Sequence, residues 1–178
     1  MKPEPVKPEA VTMVPLSRIA PHAVETLLDA AFGTDRHGRT AYKLRAGTSA
    51  IAELSFAMVS ENGTLLGTIQ CWPCGLFDGE GTLVQPLILV GPVAVAPDVQ
   101  SKGLGKALMD ATLAAAKTQA DGPLMMIGDP DYYHRFFGFS AKETGAWVVP
   151  GPVERHRLLA KAVRGETIAR EGALGPRK

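Results

Sequence analysis

Three short segments of this sequence carry residue types at spacings that could do chemistry. The first, Gln100-Ser101-Lys102-Gly103-Leu104-Gly105-Lys106, joins an uncharged apolar run to a helical pattern. The first N–H groups of a helix have no intrahelical acceptor and sit at the positive end of its dipole, so an anion is favoured there. Gly103 and Gly105 remove the side chains that would hold a ligand away from that backbone. Helix starts favour Asp or Glu, so Lys102 and Lys106 are misplaced unless a polyanion completes the site. The second segment, residues 128–139, carries Tyr132, Tyr133 and His134. A tyrosine hydroxyl, with a pKa near 10, can protonate a thiolate whose parent thiol lies near 8.5. The third, Cys71-Trp72-Pro73-Cys74, has the spacing of a redox dithiol.

The elements that must position these groups follow from period and punctuation. Residues 11–16 read as a strand, 21–32 as a helix with Pro21 early and Gly33 beyond its end, and 36–46 as a weaker helix. Residues 54–59 and 65–72 flank Asn62-Gly63, which predicts an antiparallel hairpin. Residues 75–81 read as a loop. Residues 83–95, rich in Val, Ile and Leu with no charge, predict a central strand covered on both faces. Over 103–119, Leu104, Leu108, Ala111 and Ala115 form one helical stripe that can pack on it. Residues 123–127 give another strand and 132–137 a short helix. Residues 139–149 hold one or two closing strands, and 154–163 a last helix or strand. The fold class is α/β, a single domain over 9–163 with a mixed central sheet that begins in the antiparallel hairpin. Residues 1–8 and 164–178 read as flexible ends, being rich in Pro or Gly and poor in apolar side chains.

The anion-binding turn is not a dinucleotide fingerprint, because the third glycine position is Leu108, and it lacks the Lys-Ser/Thr ending of a P-loop. Gln-x-x-Gly-x-Gly after a buried Val93-Ala94-Val95-x-Pro97 strand end resembles instead the acetyl-coenzyme A signature of the GNAT superfamily of N-acetyltransferases. Gly128 to Phe139 resembles that family's second signature, a tyrosine-bearing helix ending in Gly-Phe. The resemblance spans most of residues 11–150. It implies a sheet whose central strand and the next one splay apart. It implies that Val93, Ala94 and Val95 hold pantetheine through their backbone, and that Gln100, Ser101, Lys102, Gly103, Leu104, Gly105 and Lys106 hold the pyrophosphate of acetyl-coenzyme A, the cosubstrate. A tyrosine then faces the sulfur as general acid. The family commonly places it four residues before the glycine of Gly-Phe, where this chain has His134, so Tyr133 is the first choice and Tyr132 the second.

Acetyl transfer to a primary amine also needs the amine as free base. For a lysine-like amine of pKa about 10.4 that costs about 4.6 kcal/mol at pH 7. Residues 83–96 contain no acid or histidine, which leaves Glu53 and Asp129 as base candidates acting through water, with His134 a third. The absence of an obvious base keeps open a non-catalytic acyl-coenzyme A-binding sensor or subunit. The Cys71–Cys74 pair keeps open a dithiol oxidoreductase, although the residues after it do not read as the helix that lowers a thiol pKa.

The bulk composition excludes other classes. The 178 residues carry 19 Lys plus Arg against 18 Asp plus Glu, which leaves no basic footprint for nucleic acid or an anionic membrane. No apolar run approaches the roughly 20 residues of a membrane span. Residues 1–10 lack the apolar stretch of a secretory signal, so a cytoplasmic location is expected. The four histidines show no paired spacing, so no metal is expected. The acceptor is a small-molecule or peptide amine, and a homodimer is compatible with the sequence.

Overall fold

The computed structural model describes residues 10–100 and 102–178. The expected flexible segment 1–8 and the assignment of Ser101 to the pyrophosphate turn lie outside these residues. The elements run β1 (Val11–Pro15), α1 (Pro21–Phe32), α2 (Thr40–Leu44), β2 (Phe56–Ser60), β3 (Leu65–Phe77), β4 (Leu83–Val95), α3 (Leu104–Gln119), β5 (Leu124–Ile127), α4 (Pro130–Phe137), β6 (Ala146–Val148), β7 (Leu158–Lys161) and β8 (Glu171–Pro176). Asn62-Gly63 closes the β2–β3 hairpin, with Gly63 at φ +83° donating its N–H to Ser60 O at 3.0 Å. The strands form one mixed eight-stranded sheet with the path β1-β2-β3-β4-β5-β7, along which only β4–β5 is parallel, and with β8 attached to β3 and β6 to β8. No helix among the described residues is long and apolar enough to cross a membrane.

A bulge in β4 decides which side chains face which helix. Ile69 pairs with Val93 and Cys71 with Val90, so Gly91 and Pro92 together oppose Gln70. Gly91 takes φ +129°, which glycine alone adopts readily. The extra residue inverts the alternation. Ile88 and Val90 before it, and Val93 and Val95 after it, all pack on the α3 side with Leu104, Leu108 and Met109. Leu87 and Leu89 pack on the other face with Leu44 of α2, and Ala94 joins Leu28 of α1 there. On α3 Leu104 and Leu108 are enclosed as predicted, but the ridge continues through Thr112 and Ala116 rather than through Ala111 and Ala115. Thr112 is tolerated in it because its hydroxyl donates to Leu54 O at 2.9 Å.

Two expectations are corrected here. Residues 75–81 are not all loop, because β3 continues to Phe77 and Gly75 lets Leu83 approach closely, where a Cβ would meet Leu83 Cδ1 at 2.6 Å. Residues 164–178 are not a free tail. β8 pairs antiparallel with β3 over Cys74–Phe77 and parallel with β6, burying Leu174. Arg177 fastens its end, donating to Cys74 O and Leu87 O and holding the Asp121 carboxylate. Glycines and a proline make β8 a weak strand by propensity, and the unpaired rim of β3 supplies what propensity lacks. Leu174→Ala is therefore expected to lower the unfolding free energy by about 2–5 kcal/mol in a urea titration. A free tail would leave it unchanged.

Candidate active site

β4 and β5 hold together only at Ile88↔Leu124 and Leu89↔Met125. Beyond that rung β4 runs on to Val95 while β5 ends at Ile127, and the strands part. Successive N–H groups of a strand point to opposite edges. Because Ala96 N–H donates to Leu66 O on the β3 side at 2.8 Å, the amides of Val93 and Val95 face the gap, where β5 offers no partner. A cavity of about 350 Å³ lies there. Val93 and Val95 form one wall, Gln100 and the start of α3 from Gly103 to Lys106 another, and Tyr132 and Tyr133 of α4 a third. The end of α1, Ala31 and Phe32, closes it. Nothing local in α1 announces that contact; it exists only because α1 crosses the sheet.

The start of α3 is built as an open donor. Gly103 is its N-cap at φ +77°, and among the described residues no side chain caps the helix. No atom lies within 4 Å of a Cβ placed on Gly103, and Gly105 would meet only Val95 at 3.7 Å, so the glycines leave free space rather than tight packing. Lys106 Nζ bonds Asp110 Oδ2 at 2.9 Å, an exposed pair weak enough for a polyanion to displace. Lys102 is exposed and does not line the cavity, and Ala94 is buried against α1 with its N–H on the β3 edge, so neither of these expected contacts faces the gap.

Tyr133 is half-buried, with its ring over Gly128; a Cβ there would lie 2.7 Å from Tyr133 Cε2. Tyr132 stacks edge-on against it with centroids 5.0 Å apart and is itself exposed. Burial pushes the Tyr133 phenol above its usual value, and Tyr132 and Asp129 add to the shift, so the hydroxyl stays protonated at neutral pH. His134 turns away, its Nδ1 3.0 Å from Phe139 O.

The base candidates do not join this cavity. Glu53 is exposed on a short 3-10 turn, Ala52–Leu54, that packs against α3 beside Thr112. That is about 12 Å along the helix from its mouth. Asp129 caps α4, accepting Asp131 N–H at 3.0 Å, and does not line the cavity. The dithiol reading also fails. Cys71 and Cys74 are three apart on a strand, so they face opposite sides of the sheet, one in the α3 core and one in the α2 core. Burial pushes both thiols up to about 12, the reverse of a redox cysteine. Among the described residues no group of three or more His, Cys, Asp or Glu could hold a metal.

The sequence model of the acetyltransferase (GNAT) family matches residues 21–139, which contain every wall of this cavity. The chain belongs to the GNAT family. Acetyl-coenzyme A is the cosubstrate of such enzymes, and open amides at the α3 mouth beside a gap in the sheet fit its pyrophosphate and pantetheine arm. The fold is similar to a GNAT family N-acetyltransferase (YhbS) from Escherichia coli, solved with CoA, at 18% identity and TM-score 0.69 over 99% of this chain and 94% of that one. It is also similar to a GNAT family acetyltransferase from Brucella melitensis, solved with acetyl-CoA, at 23% identity and TM-score 0.65 over 94% and 96%. No curated protein sequence matches this GNAT chain significantly.

Gly103→Glu places bulk and negative charge at the α3 mouth and is expected to weaken coenzyme A binding at least a hundredfold by calorimetry. Gly103→Ala is the control. It carries only the left-handed backbone cost of roughly 1–2 kcal/mol and is expected to melt lower while still binding.

Proposed function

We propose that this GNAT acyltransferase moves the acetyl group of acetyl-coenzyme A directly to a primary amine of a small molecule or peptide, in the cytoplasm, from a ternary complex. The observation that carries the proposal is that Tyr133 and the open mouth of α3 line one cavity. The amides from Gly103 to Lys106, with Gln100 beside them, bind the pyrophosphate. The edge of β4 at Val93 and Val95 binds the pantetheine arm. The cosubstrate supplies an activated thioester. An N–H of β4 directed into the gap polarises the thioester carbonyl as negative charge develops on its oxygen. The amine nitrogen bonds the carbonyl carbon and gives up one proton to water, the carbon–sulfur bond breaks as Tyr133 Oη gives its proton to the leaving sulfur, and the Tyr133 phenolate then takes a proton back from water.

Among the described residues the lining of the cavity contains no carboxylate or histidine. The amine therefore enters as free base from solution. With a lysine-like acceptor, kcat/KM is expected to rise about tenfold per pH unit up to the amine pKa near 10.4. Burial raises the Tyr133 pKa, so its hydroxyl keeps its proton through the neutral and mildly alkaline part of this rise. A plateau beginning near pH 6–7 would reveal a base elsewhere.

The missing carboxylate also favours a second reading, in which the domain binds acyl-coenzyme A without turnover. Release of free thiol from acetyl-coenzyme A with a panel of amines separates the two. Under the first reading, Tyr133→Phe is expected to lower kcat about a hundredfold or more with coenzyme A affinity unchanged. Tyr132→Phe is expected to cost much less.

A further inference from the structure

Of the arginines among the described residues, three are not exposed: Arg36, Arg45 and Arg177. Arg36 is enclosed and holds Glu25 and Asp29, with Tyr42 Oη accepting a further bond. Arg177 holds Asp121 and two backbone carbonyls. Arg45, which follows α2, has no carboxylate within 4 Å among the described residues. Its guanidinium lies over two aromatic rings, 3.9 Å from the Tyr42 centroid and 4.1 Å from that of Trp72. Stacking occupies the faces of a guanidinium and leaves its five in-plane N–H donors to find partners elsewhere. Among the described residues the side-chain acceptors near them are Gln70 Oε1, at a long 3.4 Å, and the Tyr42 hydroxyl, neither of which is charged. Burial pulls the Arg45 pKa down, as it does for a cation without a full complement of partners. Beside it, Trp72 Nε1 is buried with no acceptor. The fold satisfies its other enclosed arginines and leaves this one short.

The position of the cluster gives the shortage a meaning. Gln70 and Trp72 lie on the face of the sheet that α1 and α2 cover, and Gln70 is the residue opposite the Gly91–Pro92 bulge. The next rung toward the gap is Ile69↔Val93, and Val93 lines the cavity. The cluster does not line the cavity itself but lies one rung from Val93, on the face opposite α3, within reach of an acceptor that approaches from that face. A planar fork of N–H donors pairs with a carboxylate in two parallel bonds. We infer that Arg45 binds a carboxylate of the acceptor, which makes the acceptor an amine of the amino-acid type; the inference rests on the transfer reaction proposed above.

The test titrates the protein–coenzyme A complex calorimetrically with the common L-amino acids, each beside its α-carboxamide. The same compounds are then assayed for thiol release from acetyl-coenzyme A. At least one acid is expected to bind and react, its carboxamide at least tenfold more weakly. Arg45→Met is expected to weaken the acid by about ten- to a hundredfold, with the carboxamide, the coenzyme A affinity and the melting temperature unchanged. Arg45→Lys is expected to restore part of the loss. The carboxylate assignment is overturned if no acid binds, if acid and carboxamide bind alike, or if O-phosphoethanolamine takes the place of the acids. It is equally overturned if Arg45→Met lowers melting and coenzyme A affinity together, which is the mark of a purely structural clamp. Binding through Arg45 without thiol release would sustain the carboxylate site and refute transfer. Thiol release from amines lacking a carboxylate, undiminished in Arg45→Met, would sustain transfer and refute the site.

Discussion

The polar edge of β4 that β5 leaves unpaired is the constraint around which this protein is organised. Backbone amides and carbonyls held away from water need partners, and in the interior of a sheet the neighbouring strand supplies them. Here β5 stops pairing after Met125, so the amides of Val93 and Val95 stand open to a ligand. The bulge at Gly91–Pro92 completes the arrangement by turning the valine side chains toward α3, where they pack, and leaving only main chain to face the gap. The same segment then leads through a short turn into α3, whose first amides are also unpartnered. Two sets of unsatisfied donors thus converge on one cavity, and the family's cosubstrate is the kind of molecule that can use both.

Much of this frame is legible in the sequence, and for identifiable reasons. β4 is an uncharged β-branched run, and its ends coincide with the predicted strand. α3 starts at the Gly103 turn because glycine there takes a positive φ. The bulge is not legible, although Gly91 and Pro92 are in view, because a bulge is a relation to the partner strand and the register of β3 is not written in β4. β8 is missed because glycine-rich segments look like coil until a strand rim is available to pair with them. Cys71 and Cys74 would share a face on a helix but oppose one another on a strand, so their meaning changes once β3 extends past Trp72. Glu53 and Asp129 sit near the right elements in the chain, and neither lines the cavity.

The two faces of the sheet divide the labour. The α3 face is an apolar packing surface in which the buried Thr112 and Ser55 hydroxyls donate to Leu54 O and Ile51 O. The α1 and α2 face carries the enclosed Arg36 and the indoles of Trp72 and Trp147, while Phe137 and Phe139 pack in the α3 core. Arg36 ties Glu25 and Asp29 of α1 to Tyr42 of α2, and the Tyr42 ring in turn supports Arg45. Polar groups are costly inside a fold, and their concentration on one side places the chemical variety of the molecule next to the opening between the strands.

The way β8 is attached bears on how the chain reaches this state. Its partner β3 ends at Phe77, whereas β8 begins only at Glu171. Until then the Cys74–Phe77 rim presents bare main-chain groups beside apolar side chains, the kind of edge that recruits other chains. The rim therefore stays open until a segment far along the chain has been made, and a contact spanning such a sequence separation is among the slower ones to close.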